Sequence, residues 1–157
     1  MKASTLIATV FGAGLLKPAP GTWGSAAGLV LAYPLMALTG PTGLFCGFVA
    51  VTALGVWASE IYARQSRLTD PSEVVIDEVA GLWFTLLFTP FTPVGWILAF
   101  ALFRLFDIWK PWPISVVDRR IKGGVGIMLD DLLAGLLAAV VVFALALVSA
   151  RLGYVFL

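Results

Sequence analysis

Five carboxylates stand in three short groups along this chain: Asp77-Glu78, Asp107 and Asp130-Asp131. Each pair runs into small and apolar residues, Val79-Ala80-Gly81 after the first and Leu132-Leu133-Ala134-Gly135 after the second. Acids that open an apolar helix are favoured by its dipole, which accounts for either pair taken alone. Two such pairs converging with Asp107 would instead repel one another strongly. A hard divalent cation, Mg²⁺ above all, relieves that repulsion through oxygen ligands only. The chain has no histidine, so imidazole is excluded as base, nucleophile or ligand. The one cysteine, Cys46, lies in Leu44-Phe45-Cys46-Gly47-Phe48 with no charge to activate it, and reads as a small buried hydrophobe. Metal-assisted attack by water remains for phosphate chemistry, and an aspartyl-phosphate route stays open.

The basic residues complement the acids. Arg104, Lys110, Arg119, Arg120 and Lys122 crowd one segment together with Gly123-Gly124-Val125-Gly126. Guanidinium and ammonium groups bind phosphate oxygens, and glycines let backbone amides approach an anion. Near the N-terminus, Lys17 precedes Gly21-Thr22-Trp23-Gly24-Ser25, adding a cation, the Thr22 and Ser25 hydroxyls and a helix start. Lys122 taken alone reads equally as part of a solvated loop.

The surrounding composition is that of a membrane protein. Of 157 residues, 61% are hydrophobic and 12% charged, with mean hydropathy +1.01, well away from the balance of a soluble domain. The net charge of +1 carries no nucleic-acid footprint. The length suits one domain, 1–157. Charges fall at Lys17, within 60–78 and within 104–131, separated by uncharged stretches. The fourteen residues between Lys2 and Lys17 are too few for a comfortable span, so a short helix against the others is expected. Thr39-Gly40-Pro41-Thr42 signals a turn between helices near 23–38 and 43–60.

Thr89-Pro90-Phe91-Thr92-Pro93 interrupts the next apolar stretch and predicts a hairpin of helices about 72–89 and 94–111. Counted from that turn, Asp77 and Asp107 are 13 and 14 residues away, and Glu78 and Arg104 are 12 and 11. The hairpin therefore brings all four to one level. Arg104 and Lys110 flank Asp107 at i−3 and i+3, which places them on one helix face. Asp130-Asp131 are expected to open a last spanning helix. In this five-span arrangement nine of ten basic residues lie on the motif side, making that side cytoplasmic. The expected fold is an all-α, polytopic membrane helical bundle with a short N-terminal helix and a Pro-turned hairpin. Gly24-x-x-x-Gly28 and Gly43-x-x-x-Gly47 permit close helix contacts, within one chain or between two. Carboxylates and bases beside a lipid phase point to a phosphorylated lipid headgroup.

Four segments carry a resemblance. Lys17 to Ser25, Asp70-Pro71-Ser72-Glu73-Val74-Val75-Ile76-Asp77-Glu78-Val79-Ala80-Gly81, Phe103 to Ile114 and Asp118 to Gly135 resemble, in order, the motifs of the phosphatidylglycerophosphatase A family. The resemblance covers almost the whole chain. It implies a Mg²⁺-dependent hydrolase that converts phosphatidylglycerophosphate to phosphatidylglycerol at the bacterial inner membrane, within phospholipid biosynthesis. Asp77, Glu78, Asp107, Asp130 and Asp131 are then the metal and catalytic group. Lys17, Thr22, Ser25, Arg104, Lys110, Arg119 and Arg120 hold the phosphate. A small cation transporter is the alternative from another class, although it has no use for the Gly-rich basic segment. A transferase acting on a CDP-lipid is disfavoured, because its spaced Asp-x-x-Asp-Gly pattern is absent.

Overall fold

The computed structural model describes residues 2–153, which are built from helices and turns without strands. α1 (Ala3–Ala8) and a 3₁₀ turn (Ala13–Leu15) precede α2 (Pro20–Ser66), α3 (Ile76–Leu87), α4 (Pro93–Trp109), α5 (Ile114–Arg120) and α6 (Gly123–Arg151). The fold is an all-α membrane bundle. α2 and α6 are long and apolar enough to cross a bilayer. Only a minority of their apolar stretches is buried inside the protein. Leu38, Val30 and Phe143 are 84%, 70% and 51% exposed, a surface that suits lipid and not water.

α2 is two helical limbs. Gly40 breaks it at φ 67° and ψ −166°, a region open essentially to glycine alone. Pro41 follows at the start of the second limb, where its missing N–H costs nothing. The chain reverses there: Gly47 on the trailing limb packs against Leu35 on the leading one and against Trp83 of α3. The turn expected at 39–42 is thus present, and the limbs extend to Pro20 and Ser66. Cys46 faces outward, not into the core. Its apolar neighbours are satisfied equally well by lipid, which composition alone cannot distinguish from a protein interior.

α3 is the central helix, with nine of its twelve residues buried. It is shorter than the expected 72–89, because residues 71–75 form a separate turn in which the Val74 N–H donates to the Pro71 carbonyl at 3.0 Å. At about 18 Å long it does not cross a hydrocarbon core of about 30 Å unaided. The hairpin turn falls where Pro90 and Pro93 place it. Thr92 caps α4, its hydroxyl accepting from the Gly95 N–H at 3.0 Å, and Pro93 is the first helical residue. α1 lies against the bundle as a short N-terminal helix, and its Ala8 carbonyl accepts from the Val75 N–H at 2.9 Å, fixing the entry to α3.

α3 and α6 run side by side in the same direction and approach closely because both carry glycine where they meet. A Cβ on Gly81 would stand 2.5 Å from the Asp131 carbonyl oxygen, and one on Gly135 would overlap the Gly81 carbonyl. Thr85 stitches the crossing, its hydroxyl lying 3.1 Å from both the Gly81 and Gly135 carbonyls. The parallel between Asp77-Glu78-x-x-Gly81 and Asp130-Asp131-x-x-x-Gly135 thereby acquires a physical meaning. In each helix the glycine sets the contact, and the acids lie about one turn before it.

Candidate active site

The crossing delivers the acids to a cavity of about 370 Å³ on the side of the bundle where α3 begins. Asp77 and Glu78 come from the first turn of α3. Asp130 and Asp131 lie two turns inside α6, which starts at Gly123 and has no acid in its first turn. The expectation that they open the last helix is therefore corrected, and the dipole does not account for them. Gly123-Gly124-Val125-Gly126 is helix and not an anion-binding loop. Gly123 and Gly124 fit against the end of α2, where the Gly124 N–H donates to Glu60 Oε2 at 2.7 Å, and Gly126 packs against the Ile121 carbonyl. Low helix propensity at these glycines is overridden by that cap and by close packing.

Asp77, Glu78 and Asp131 each place a carboxylate oxygen within 4.8 Å of the other two. Asp107, one helix away, lines the same cavity and pairs with Arg104. Arg104 also lies 3.9 Å from Glu78 and 3.5 Å from the buried Ser25 hydroxyl. The level set by the hairpin count is thus the observed one. Lys110 departs from expectation. α4 ends at Trp109, and Lys110 takes a left-handed backbone with φ 45°, so it does not share the helix face of Arg104 and Asp107. Its ammonium instead bridges Asp130, at 2.6 Å, and Asp118, at 2.9 Å. Burial by itself would lower the Lys110 pKa, but these two hydrogen bonds outweigh it and hold the group above the usual lysine range. The bond from Lys110 likewise holds Asp118 below the ordinary carboxylate value.

The structure brings together Asp77, Glu78, Asp107, Asp130, Asp131, Arg104 and Lys110, all lining one cavity. Ser25 stands behind Arg104, donating to the Gly21 carbonyl at 2.8 Å. Lys17, Thr22, Arg119 and Arg120 are exposed and do not line the cavity. Sequence reasoning assigned no role to Asp70, which lines the cavity, or to Asp118, which anchors Lys110. Asp118 is separated from Lys110 by Pro111 and Pro113, so no helical spacing linked the two.

Six carboxylates face two cations in this cavity. Four oxygens, Asp77 Oδ1, Glu78 Oε2, Asp130 Oδ1 and Asp131 Oδ2, are buried without a hydrogen-bond partner. Buried polar atoms are normally satisfied, and each orphan needs a reason. A hard cation with oxygen ligands satisfies such a group and offsets its charge, so the donor set fits a divalent ion of the Mg²⁺ kind.

Comparison with known proteins agrees with this chemistry. Residues 6–146 match the family model described as phosphatidylglycerophosphatase A. The chain is 44% identical to the Haemophilus influenzae phosphatidylglycerophosphatase A over 89% of its own length and 86% of that protein. It is 38% identical to the Escherichia coli phosphatidylglycerophosphatase A, over 88% of this chain and 80% of the relative. A Bacteroides thetaiotaomicron protein provisionally named a phosphatidylinositol-3-phosphatase is also 38% identical, over 87% and 89%. No solved structure matches. With a match that runs through both acidic pairs and the hairpin between them, the chain belongs to the phosphatidylglycerophosphatase A family.

Proposed function

We propose that this chain, acting as one domain, is a Mg²⁺-dependent phosphatase. It hydrolyses phosphatidylglycerophosphate to phosphatidylglycerol and inorganic phosphate, with its active site on the cytoplasmic side of a multi-pass bundle in the bacterial inner membrane. The observation that carries this reading is the group of orphaned, buried carboxylate oxygens beside Arg104 and Lys110. Family membership supports the choice of substrate.

Asp77, Glu78 and Asp131 would hold the ion, with Asp107 and Asp130 beside them. When bound, Mg²⁺ supplies charge neutralisation at the phosphoryl oxygens and a more acidic water. Arg104, kept in place by Asp107 and Ser25, binds and orients the phosphate. Lys110 is steadied by Asp118 and adds a second cation to the cavity lining. Asp130 is gripped at Oδ2 by Lys110 and keeps Oδ1 free, so it can take a proton from the attacking water at Oδ1 without leaving its place. The exposed Lys17, Thr22, Arg119 and Arg120 would act on the approaching anionic headgroup from the rim.

The test is phosphate release by the purified protein in detergent. EDTA should abolish it and added Mg²⁺ restore it; full activity in chelator contradicts the metal mechanism. A cation transporter would release no phosphate at all. The same chemistry would serve a 3-phosphoinositide, the substrate in the provisional name of the third relative, so both lipids belong in the assay.

A further inference from the structure

Ala19, Pro20 and Gly21, where α2 begins, line the acidic cavity. Gly21 stands against both kinds of charge at once. A Cβ there would overlap Glu78 Oε1 and lie 3.0 and 3.2 Å from the two terminal nitrogens of Arg104. The same turn holds the guanidinium from behind. The Ser25 hydroxyl donates to the Gly21 carbonyl at 2.8 Å and lies 3.5 Å from Arg104 Nη1. Asp107 and Glu78 also face Nη1. Among the described residues Nη2 has no hydrogen-bond partner, so it is the nitrogen left for a ligand. Gly24 and Gly28 follow on the same face of α2. A Cβ on Gly24 would stand 2.5 Å from Val75 Cβ, and one on Gly28 would stand 3.3 Å from the Val79 α-carbon. The three glycines let α2 lie close against the start of α3. At Gly24 and Gly28 the neighbours are apolar; at Gly21 they are the charged groups of the site.

We infer that Gly21 is a positioning residue of the phosphatase site: its bare α-carbon leaves room for Glu78 and keeps the guanidinium fork of Arg104 clear for the phosphate. The inference rests on the lipid phosphatase reading above. An alanine methyl would force the Glu78 carboxylate back by about 1 Å, and the Arg104 nitrogens by about half that, to reach ordinary contact. It would also stand against Nη2. A guanidinium grips phosphate through paired N–H groups, so covering one nitrogen removes a directed bond and not charge alone. The atoms that must yield are the ends of flexible side chains, whereas at Gly81 a backbone carbonyl stands in the way. The fold should therefore accept alanine at 21 while the site does not.

The experiment compares Gly21→Ala and Gly28→Ala with the unmodified protein, in detergent micelles with Mg²⁺. In Gly21→Ala the kcat/KM for phosphatidylglycerophosphate should fall about a hundredfold, with Tm unchanged. Gly28→Ala, whose methyl meets Val79, should keep its kcat/KM. A wild-type kcat/KM in Gly21→Ala overturns the inference. So does an equal fall in Gly28→Ala, or a fall in Gly21→Ala matched by a large loss of Tm, the mark of a glycine needed only for packing. A second measurement needs no turnover. Inorganic phosphate, followed by phosphorus NMR as it binds the protein with Mg²⁺, should bind Gly21→Ala about tenfold more weakly, the equivalent of one charge-assisted hydrogen bond. Its affinity for Gly28→Ala should hold. Equal affinities in all three proteins, or no binding to the unmodified one, overturn the inference. If the unmodified protein binds phosphate but does not hydrolyse the lipid, the phosphatase reading fails, and the affinities still decide the role of Gly21.

Discussion

Replacing Gly81 with alanine adds one methyl group at the contact that delivers both acidic pairs to the site. That methyl carbon would stand 2.5 Å from the Asp131 carbonyl oxygen and 2.6 Å from Phe103 Cε2. Non-bonded carbons prefer about 3.5–4.0 Å, so α3 and α6 must separate by about 1 Å. Overpacking of this kind costs about 1–3 kcal/mol, offset by the roughly 1 kcal/mol that alanine gains over glycine inside a helix. The folded protein should survive with its Tm lowered by a few degrees. Function should suffer far more, because a displacement of about 1 Å at a reacting centre can cost about 10²-fold in rate. The assay is Mg²⁺-activated phosphate release, read as kcat and as the Mg²⁺ concentration giving half activation. Gly81→Ala should lower the first about a hundredfold and raise the second. Gly47→Ala is the control: its Cβ would meet the Leu35 and Trp83 side chains at 2.8 Å, away from the acids, so it should lower Tm without changing Mg²⁺ dependence. Wild-type kcat and half-activation in Gly81→Ala would refute the claim that this crossing positions the site.

Asp131→Asn keeps the side chain's size and removes its charge; turnover should fall by about 10² or more, while Tm holds or rises because a like charge has left the cluster. Lys110→Met should lower Tm by several degrees, measured by thermal unfolding in detergent, since it leaves Asp130 buried without its partner; Asp118→Asn, at the more exposed partner, should cost less. Cysteines at Ser66 and Ser115, in a Cys46→Ala background, should react with an impermeant reagent from the same side of the membrane. Labelling from opposite sides would contradict the hairpin topology.

The hairpin was legible because prolines and cost of burial speak directly in sequence. Pro90 and Pro93 end one helix and start another, and counting from them put Glu78, Arg104 and Asp107 at one level, where ion pairs join them. Gly40 was legible for the same reason. The start of α6 was not, because three glycines read as a loop until the Glu60 carboxylate, 64 residues away, is seen capping Gly124. Lys110 was misplaced by one residue of backbone: its left-handed conformation turns the side chain toward Asp118, and local spacing contains no such information. The repeated acid-then-glycine pattern was visible, but only the packed helices show that each glycine makes the contact and each acid pair uses it.

The central claim is that Asp77, Glu78 and Asp131 bind the cation that catalysis requires. Crystals of the protein soaked in Mn²⁺, at a concentration that restores full activity after EDTA, test it most directly through anomalous scattering. A strong peak is expected among those three carboxylates, lost in Asp131→Asn. A fully active protein whose only peak lies elsewhere, or that shows no peak, would contradict it.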